Sequence, residues 1–218
     1  MSESLFELTV DPTINLLPYD GTVLDFGIIL SSAVSEAVFN ALLSTVEWKN
    51  DEAIIFGKRI LTKRKFAWYG DKDYEYTYSK INRRALPWNT TLKKLKELVE
   101  KHSDESYNSC LLNLYHNGEE GVAWHSDDEK TLKPLGAIAS LSLGASRKFS
   151  FRHKTTKEEI SINLHAGQLL VMKDSTQINW LHSLPKTKKC TMPRISLTFR
   201  TIVSATCDIG PGDGIGRF

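Results

Sequence analysis

The sequence predicts an α+β fold that is mainly β: a double-stranded β-helix, or jelly roll, with helices flanking its N-terminal side. Three observations predict it. Short segments after residue 107 alternate as strands do, at 108–115, 137–144, 147–152, 159–164, 168–173 and 194–202, punctuated by Gly118, Gly121, Gly144 and Gly167. Two helical repeats precede them. Residues of metal-ligating type, His125, Asp127 and His182, are spread among the strands, which suits a double-sheet core with an interior site.

Taken in order, residues 1–30 show little pattern, and Leu16 to Leu24 mix turn signals with apolar residues as a strand or arm on the core would. Ser31-Ser32 can cap a helix in which Val34, Val38, Leu42 and Val46 recur every four residues. The run from Ile54 to Lys65 sets an apolar tip, Ile54-Ile-Phe56, beside five cations and reads locally as a buried strand with a charged edge. Tyr74-Glu-Tyr-Thr-Tyr78 alternates, consistent with cross-strand packing. After Pro87, the residues Trp88, Leu92, Leu95, Leu98 and Val99 mark a second helix.

With 218 residues and 41% hydrophobic content, one well-packed domain is expected. Its parts are an N-terminal extension and helix (1–53), a lid and helix (54–107), the catalytic core (108–202) and a glycine-rich mobile tail (203–218). A net charge of +2, from 28 Lys and Arg against 26 Asp and Glu, excludes a strongly basic nucleic-acid protein. The cations are nevertheless clustered, at Lys58 to Lys65, Arg83-Arg84, Arg147 to Lys157 and Lys186 to Lys189, and islands sharing one face would suffice for phosphate contacts. Scattered over the surface they would be only a solvated coat. Cys110, Cys190 and Cys207 are odd in number and form no metal-like pair, so free, buried thiols in a reducing interior are expected. Neither a membrane span nor a signal-peptide pattern is visible, and the expected setting is the cytoplasm of a bacterium or the nucleus of a eukaryote.

The chemistry begins with His125-x-Asp127. In an extended segment both side chains leave one face and can grip one ion, which His182 would complete. Two imidazoles and a carboxylate suit a non-haem Fe(II) centre with open positions, although zinc is a second reading and His-x-Asp alone occurs by chance. In Arg194-Ile-Ser-Leu-Thr-Phe-Arg200 the residues Ile195, Leu197 and Phe199 face one way and Arg194, Ser196, Thr198 and Arg200 the other. The two arginine Cα atoms are then roughly 20 Å apart when fully extended. Long side chains leaning together could hold the two carboxylates of a small dicarboxylic acid, for which the guanidinium fork is suited. Otherwise the pair is a solvated strand face.

These residues occur in an order that carries a family resemblance. Leu112-Asn-Leu-Tyr115, His125-Ser-Asp127-Asp128-Glu129, Ile138-Ala-Ser-Leu-Ser-Leu-Gly144, Arg147-Lys-Phe-Ser-Phe-Arg-His153, His182-Ser-Leu-Pro185 and Pro193-Arg-Ile-Ser-Leu-Thr-Phe-Arg200 together resemble the AlkB family of Fe(II)/2-oxoglutarate-dependent nucleic-acid dealkylases, most closely its DNA-repair members. The resemblance runs from about Phe56 to Ile202. It implies oxidative demethylation of 1-methyladenine and 3-methylcytosine, in which O2 and 2-oxoglutarate are consumed and succinate, CO2 and formaldehyde released. RNA as the substrate, or a non-catalytic damage-binding module of the same fold, are the alternatives.

The resemblance implies roles for named residues. His125, Asp127 and His182 would hold the iron, and Asn113, Tyr115, Arg194 and Arg200 the 2-oxoglutarate, with Ser196 and Thr198 as accessory donors. Ser196 stands where some members carry a longer amide, a departure that puts this contact in question. Tyr76 and Tyr78 would stack on the flipped base beside His125, while Asp128 and Glu129 would read its exocyclic edge. Phe56, with Gly57 and Arg64 in the hairpin of a nucleotide-recognition lid, would be a wedge filling the gap in the duplex. The expected partner is alkylated DNA, or RNA, bound by a monomer. Phe56→Ala is expected to slow repair of duplex substrate more than of single strands, which rates on matched oligonucleotides will show; equal losses would remove the wedge.

Overall fold

The computed structural model describes residues 10–55, 58–78, 81–203 and 206–208, with the backbone alone at 51–55, 58–60, 76–78, 81–83 and 206–208. In chain order the elements are β1 (Thr22–Ile28), α1 (Ser32–Thr45), β2 (Lys49–Ile55), β3 (Lys58–Gly70), β4 (Glu75–Tyr78), β5 (Ile81–Arg84), β6 (Leu86–Pro87), α2 (Thr90–Ser103), β7 (Ser109–Tyr115) and β8 (Val122–His125). There follow β9 (Ile138–Gly144), β10 (Arg147–His153), β11 (Glu159–Leu164), β12 (Gln168–Lys173), α3 (Thr176–Asn179), β13 (Trp180–Leu184), β14 (Arg194–Arg200) and β15 (Thr206–Asp208). A larger sheet in the order β1-β12-β9-β14-β7-β3-β2, with β6 beside β3, faces a smaller one in the order β11-β10-β13-β8. This is the mainly β sandwich expected, with every strand pair along these two orders antiparallel. Among the described residues no helix is long and apolar enough to cross a membrane.

Period-two alternation gives the larger sheet two different faces. Cys110, Leu112 and Leu114 of β7, Ala139, Leu141 and Leu143 of β9, and Ile195, Leu197 and Phe199 of β14 enter one apolar core, together with Leu42 of α1 and Leu92, Leu95 and Val99 of α2. The helices cover this outer face. The opposite face looks into the sandwich, where Tyr115, Ile138, Leu170 and Met172 meet Phe149, Phe151, Leu164, Trp180 and Leu184 in a second core. Toward β14 that interior turns polar, because Asn113, Ser196 and Ser142 lie abreast on neighbouring strands.

The two longer helices have side-chain caps, α1 at the serine expected from its sequence. Ser31 Oγ accepts from the Val34 amide at 3.4 Å, and Asn89 Oδ1 from the Leu92 amide at 2.8 Å. The four-residue repeat in α1 does not stay buried, and Val34 is 47% exposed while Leu42 is covered completely. Each step of four residues turns the face by about 40°, so Val34 at the N-terminal end leaves the contact while Val46 at the other end stays in the core.

Within the tail, Thr206–Asp208 pair in parallel with Glu75–Thr77 of β4 and make a three-stranded sheet with β5. An open strand edge offers unpaired amides and carbonyls, and the returning chain uses them. Arg147 does not belong to a phosphate-binding island. It is 3% exposed, and its guanidinium donates to the carbonyls of Asn117, Gly118, Glu120 and Pro185. Cys110 is a buried free thiol as expected, whereas Cys190 is half-buried.

Arg147→Met would remove the guanidinium from these carbonyls, of which Asn117 and Gly118 keep backbone donors in Glu120 and Thr187. We expect it to destabilise the fold by about 2–4 kcal/mol, read as a lower urea midpoint with an unchanged slope.

Candidate active site

The two candidate histidines are direct cross-strand partners, His125 on β8 and His182 on β13, with ring centroids 4.2 Å apart. Neither strand was among those read from the sequence, because at Val122–His125 and Trp180–Leu184 they are short and weakly patterned. A bulge sets the geometry. His182 to Leu184 on β13 is matched by the longer step from His125 to Val122 on β8, which points both Val122 and His125 inward. His125 Nδ1 lies 2.8 Å from the Ala123 carbonyl, its donor position, so Nε2 keeps the free lone pair.

Asp127 arrives differently from the expectation of one extended segment. β8 ends at His125, and Asp127 sits in the following loop, where its amide donates to Gln177 Oε1 at 2.9 Å. Its carboxylate is 7% exposed, with Oδ1 at 3.9 Å from His125 Nε2 and Oδ2 at 3.0 Å from Arg200 Nη2. One ligand atom from each of His125, Asp127 and His182 lies within 4.8 Å of the others, a group that can hold a metal ion. Burial alone would raise the Asp127 pKa, but Arg200 and the two imidazoles outweigh it and hold the carboxyl below the usual range. Burial, reinforced by the neighbouring His125, pushes His182 down to about 3, so its ring is neutral and available as a ligand at ordinary pH.

The two arginines of β14 enter different surroundings. Arg200 reaches Asp127 and also Glu129, whose Oε1 is 3.3 Å from Nη1. Arg194 is 2% exposed, donates through Nη2 to Ser142 Oγ at 2.9 Å and lies over the Tyr115 ring at 5.6 Å. Its Nε has no hydrogen-bond partner, and among the described residues no carboxylate pairs with it. Burial lowers its pKa to about 10, with Tyr115 opposing and Arg147 adding to the fall. A buried guanidinium left without a counter-ion, bonded to one hydroxyl, is chemically fitted to a carboxylate. Asn113 and Thr198 are half-buried and Ser196 buried on the same strand faces.

Of the residues expected to meet a base, Asp128 is exposed and accepts from Ser126 Oγ at 3.3 Å. Glu129 Oε2 is buried and without a partner. Arg64 is half-buried on β3. Phe56 and Gly57 lie outside the described residues, as do the side chains of Tyr76 and Tyr78. Sequence reasoning missed Gln177, Ser142 and Lys154. No local signal marks them, since each acts across roughly 28 to 52 residues of chain.

The chain belongs to the 2OG-Fe(II) oxygenase superfamily, whose family model matches residues 26–200. Within it the relatives are AlkB-like. The human alpha-ketoglutarate-dependent dioxygenase alkB homolog 3 is 36% identical, over 92% of this chain and 71% of its own length. Its bovine counterpart is 40% identical over 77% of this chain, which spans 62% of that relative. The bovine DNA oxidative demethylase ALKBH2 is 34% identical over 86% of this chain and 71% of its own length. The structure of OsALKBH1 superposes with a TM-score of 0.61 at 15% identity, covering 85% of this chain and 99% of that one, a likeness of fold.

Metal bound by the folded chain alone stabilises it by mass action. Mn(II) at 100 times its dissociation constant should add about 2.7 kcal/mol to the unfolding free energy under anaerobic conditions. The same titration of Asp127→Ala should leave the melting curve in place.

Proposed function

We propose that this protein is an Fe(II)- and 2-oxoglutarate-dependent dioxygenase that removes methyl groups from alkylated DNA bases, 1-methyladenine and 3-methylcytosine. The observation that carries the reading is the juxtaposition, inside one sandwich, of the His125, Asp127 and His182 cluster with the unpaired buried guanidinium of Arg194. The superfamily's cofactor and co-substrate account for both. The names of the relatives point to alkylated DNA.

In this reading His125, Asp127 and His182 hold Fe(II), and Arg194 with Ser142 neutralises a carboxylate of 2-oxoglutarate, flanked by Asn113, Tyr115, Arg200, Ser196 and Thr198. When bound, iron and 2-oxoglutarate activate O2 to hydroxylate the N-methyl carbon, yielding succinate, CO2 and formaldehyde. Arg200 keeps Asp127 ionised and fixed in one orientation, at 3.0 Å. Its other arm positions Glu129, whose orphaned Oε2 is an acceptor for an exocyclic amine of the substrate. The apolar walls of the sandwich, Phe149 and Trp180 among them, exclude water from the reacting centre. Phe56, Gly57, Arg64, Tyr76, Tyr78 and Asp128 would contact the nucleic acid. Lys186, Lys188 and Lys189, exposed just after β13, are placed to meet phosphates.

The test is anaerobic loading with Fe(II) and 2-oxoglutarate, then aerobic incubation with single- and double-stranded DNA carrying 3-methylcytosine, scored by base mass and formaldehyde. Loss of one methyl mass that requires both additions is expected, with turnover abolished in Asp127→Ala. Arg194→Ala should raise the KM for 2-oxoglutarate at least tenfold, and an unchanged value would move the carboxylate site elsewhere. Succinate formed without demethylation would keep the oxygenase and redirect the search to RNA, protein or small molecules.

A further inference from the structure

We infer that Gln177 is a positioning residue that orders the metal-binding loop before any metal arrives, with Lys154 as its brace. This rests on reading His125, Asp127 and His182 as the metal centre. The loop after β8 has no strand partner at Asp127, yet Asp127 is buried, so its amide needs an acceptor. Gln177 Oε1 supplies one at 2.9 Å. The Gln177 amide nitrogen donates to the Met172 sulfur at 3.6 Å, a weak contact that still orients the carboxamide with its oxygen toward Asp127.

The glutamine is itself held. Its backbone carbonyl accepts from Lys154 Nζ at 2.9 Å, and the same ammonium donates to Ser126 Oγ at 3.1 Å, one residue from Asp127. Ser126 in turn donates to Asp128. The loop is thus held from outside at the Asp127 amide by Gln177 of α3 and at the Ser126 hydroxyl by Lys154, just past β10, while the Ser126 to Asp128 contact is internal to the loop. Gln177 lies on α3, which runs directly into β13 and His182. One hydrogen bond therefore ties the segment carrying Asp127 to the segment carrying His182, and the spacing between ligands does not depend on the ion to create it.

Groups that orient ligands from behind typically change metal affinity by about 10–100-fold when removed. The experiment is an anaerobic calorimetric titration of metal-free protein with Mn(II), alongside metal-free melting curves, for wild type, Gln177→Met, Gln177→Glu, Lys154→Met and Asp127→Ala. Gln177→Met keeps the side-chain length and loses the acceptor, and it is expected to weaken Mn(II) binding about tenfold or more. Gln177→Glu retains an acceptor oxygen and should stay within about threefold of wild type, with a metal-free melting temperature close to that of Gln177→Met. Lys154→Met reads the brace from its other end and should weaken binding about threefold even if Gln177→Met fails to fold. Wild-type affinity in Gln177→Met beside lost binding in Asp127→Ala would overturn the inference alone. Wild-type affinity in Asp127→Ala would overturn the metal-centre reading beneath it.

Discussion

The ion pair between Arg200 and Asp127, 3.0 Å long and enclosed in the sandwich, is where the two sheets meet at the candidate site. Arg200 comes from β14 of the larger sheet and Asp127 from the loop that leaves β8 of the smaller one. Burying either charge alone costs several kcal/mol, so each requires the other. Arg200 helps keep Asp127 anionic against burial, while burial and the neighbouring His125 hold His182 neutral. An anionic Asp127 beside a neutral His182 is a protonation state that a divalent cation binds.

The polar interior is costly for the fold, and the outer face of the same sheet compensates. Leu112, Leu141 and Leu197 are completely covered there by the helices. Truncating one such leucine typically costs about 2–5 kcal/mol. The strands β7, β9 and β14 can therefore keep serines, an asparagine and two arginines on their inner face because alternate residues anchor them on the other. Function and stability are separated by the pleat rather than by distance along the chain.

The sheets also divide the chemistry. The smaller sheet and its loop present imidazoles and a carboxylate suited to a cation, while the larger sheet presents Arg194, Ser142 and Ser196, suited to an anion. The smaller sheet and its loop alone carry the cation ligands, and only the two sheets together place a cation site beside an anion site. Arg147 works beneath both, because its hydrogen bonds to the 117–120 turn and to Pro185 join the chain entering β8 to the chain leaving β13.

Much of this was legible in the residues. The alternation at Arg194 to Arg200 placed two arginines on one polar face, and the strands at 159–164 and 168–173 have the boundaries their pattern indicated. The cap at Ser31 is local chemistry, visible within a few residues. The sequence by itself determined the strand-rich core, the residue types that can bind a cation and an anion, and the faces they share, because these follow from period-two geometry and short-range capping. Only the tertiary structure decided that Arg200 turns to Asp127 and Glu129 while Arg194 stays unpaired, that Arg147 is buried under carbonyls, and that Gln177 holds the Asp127 amide. Those outcomes depend on which strands pair and on one bulge in β8. Contacts between residues so far apart in the chain are set by the closing of the two sheets, which no local pattern encodes.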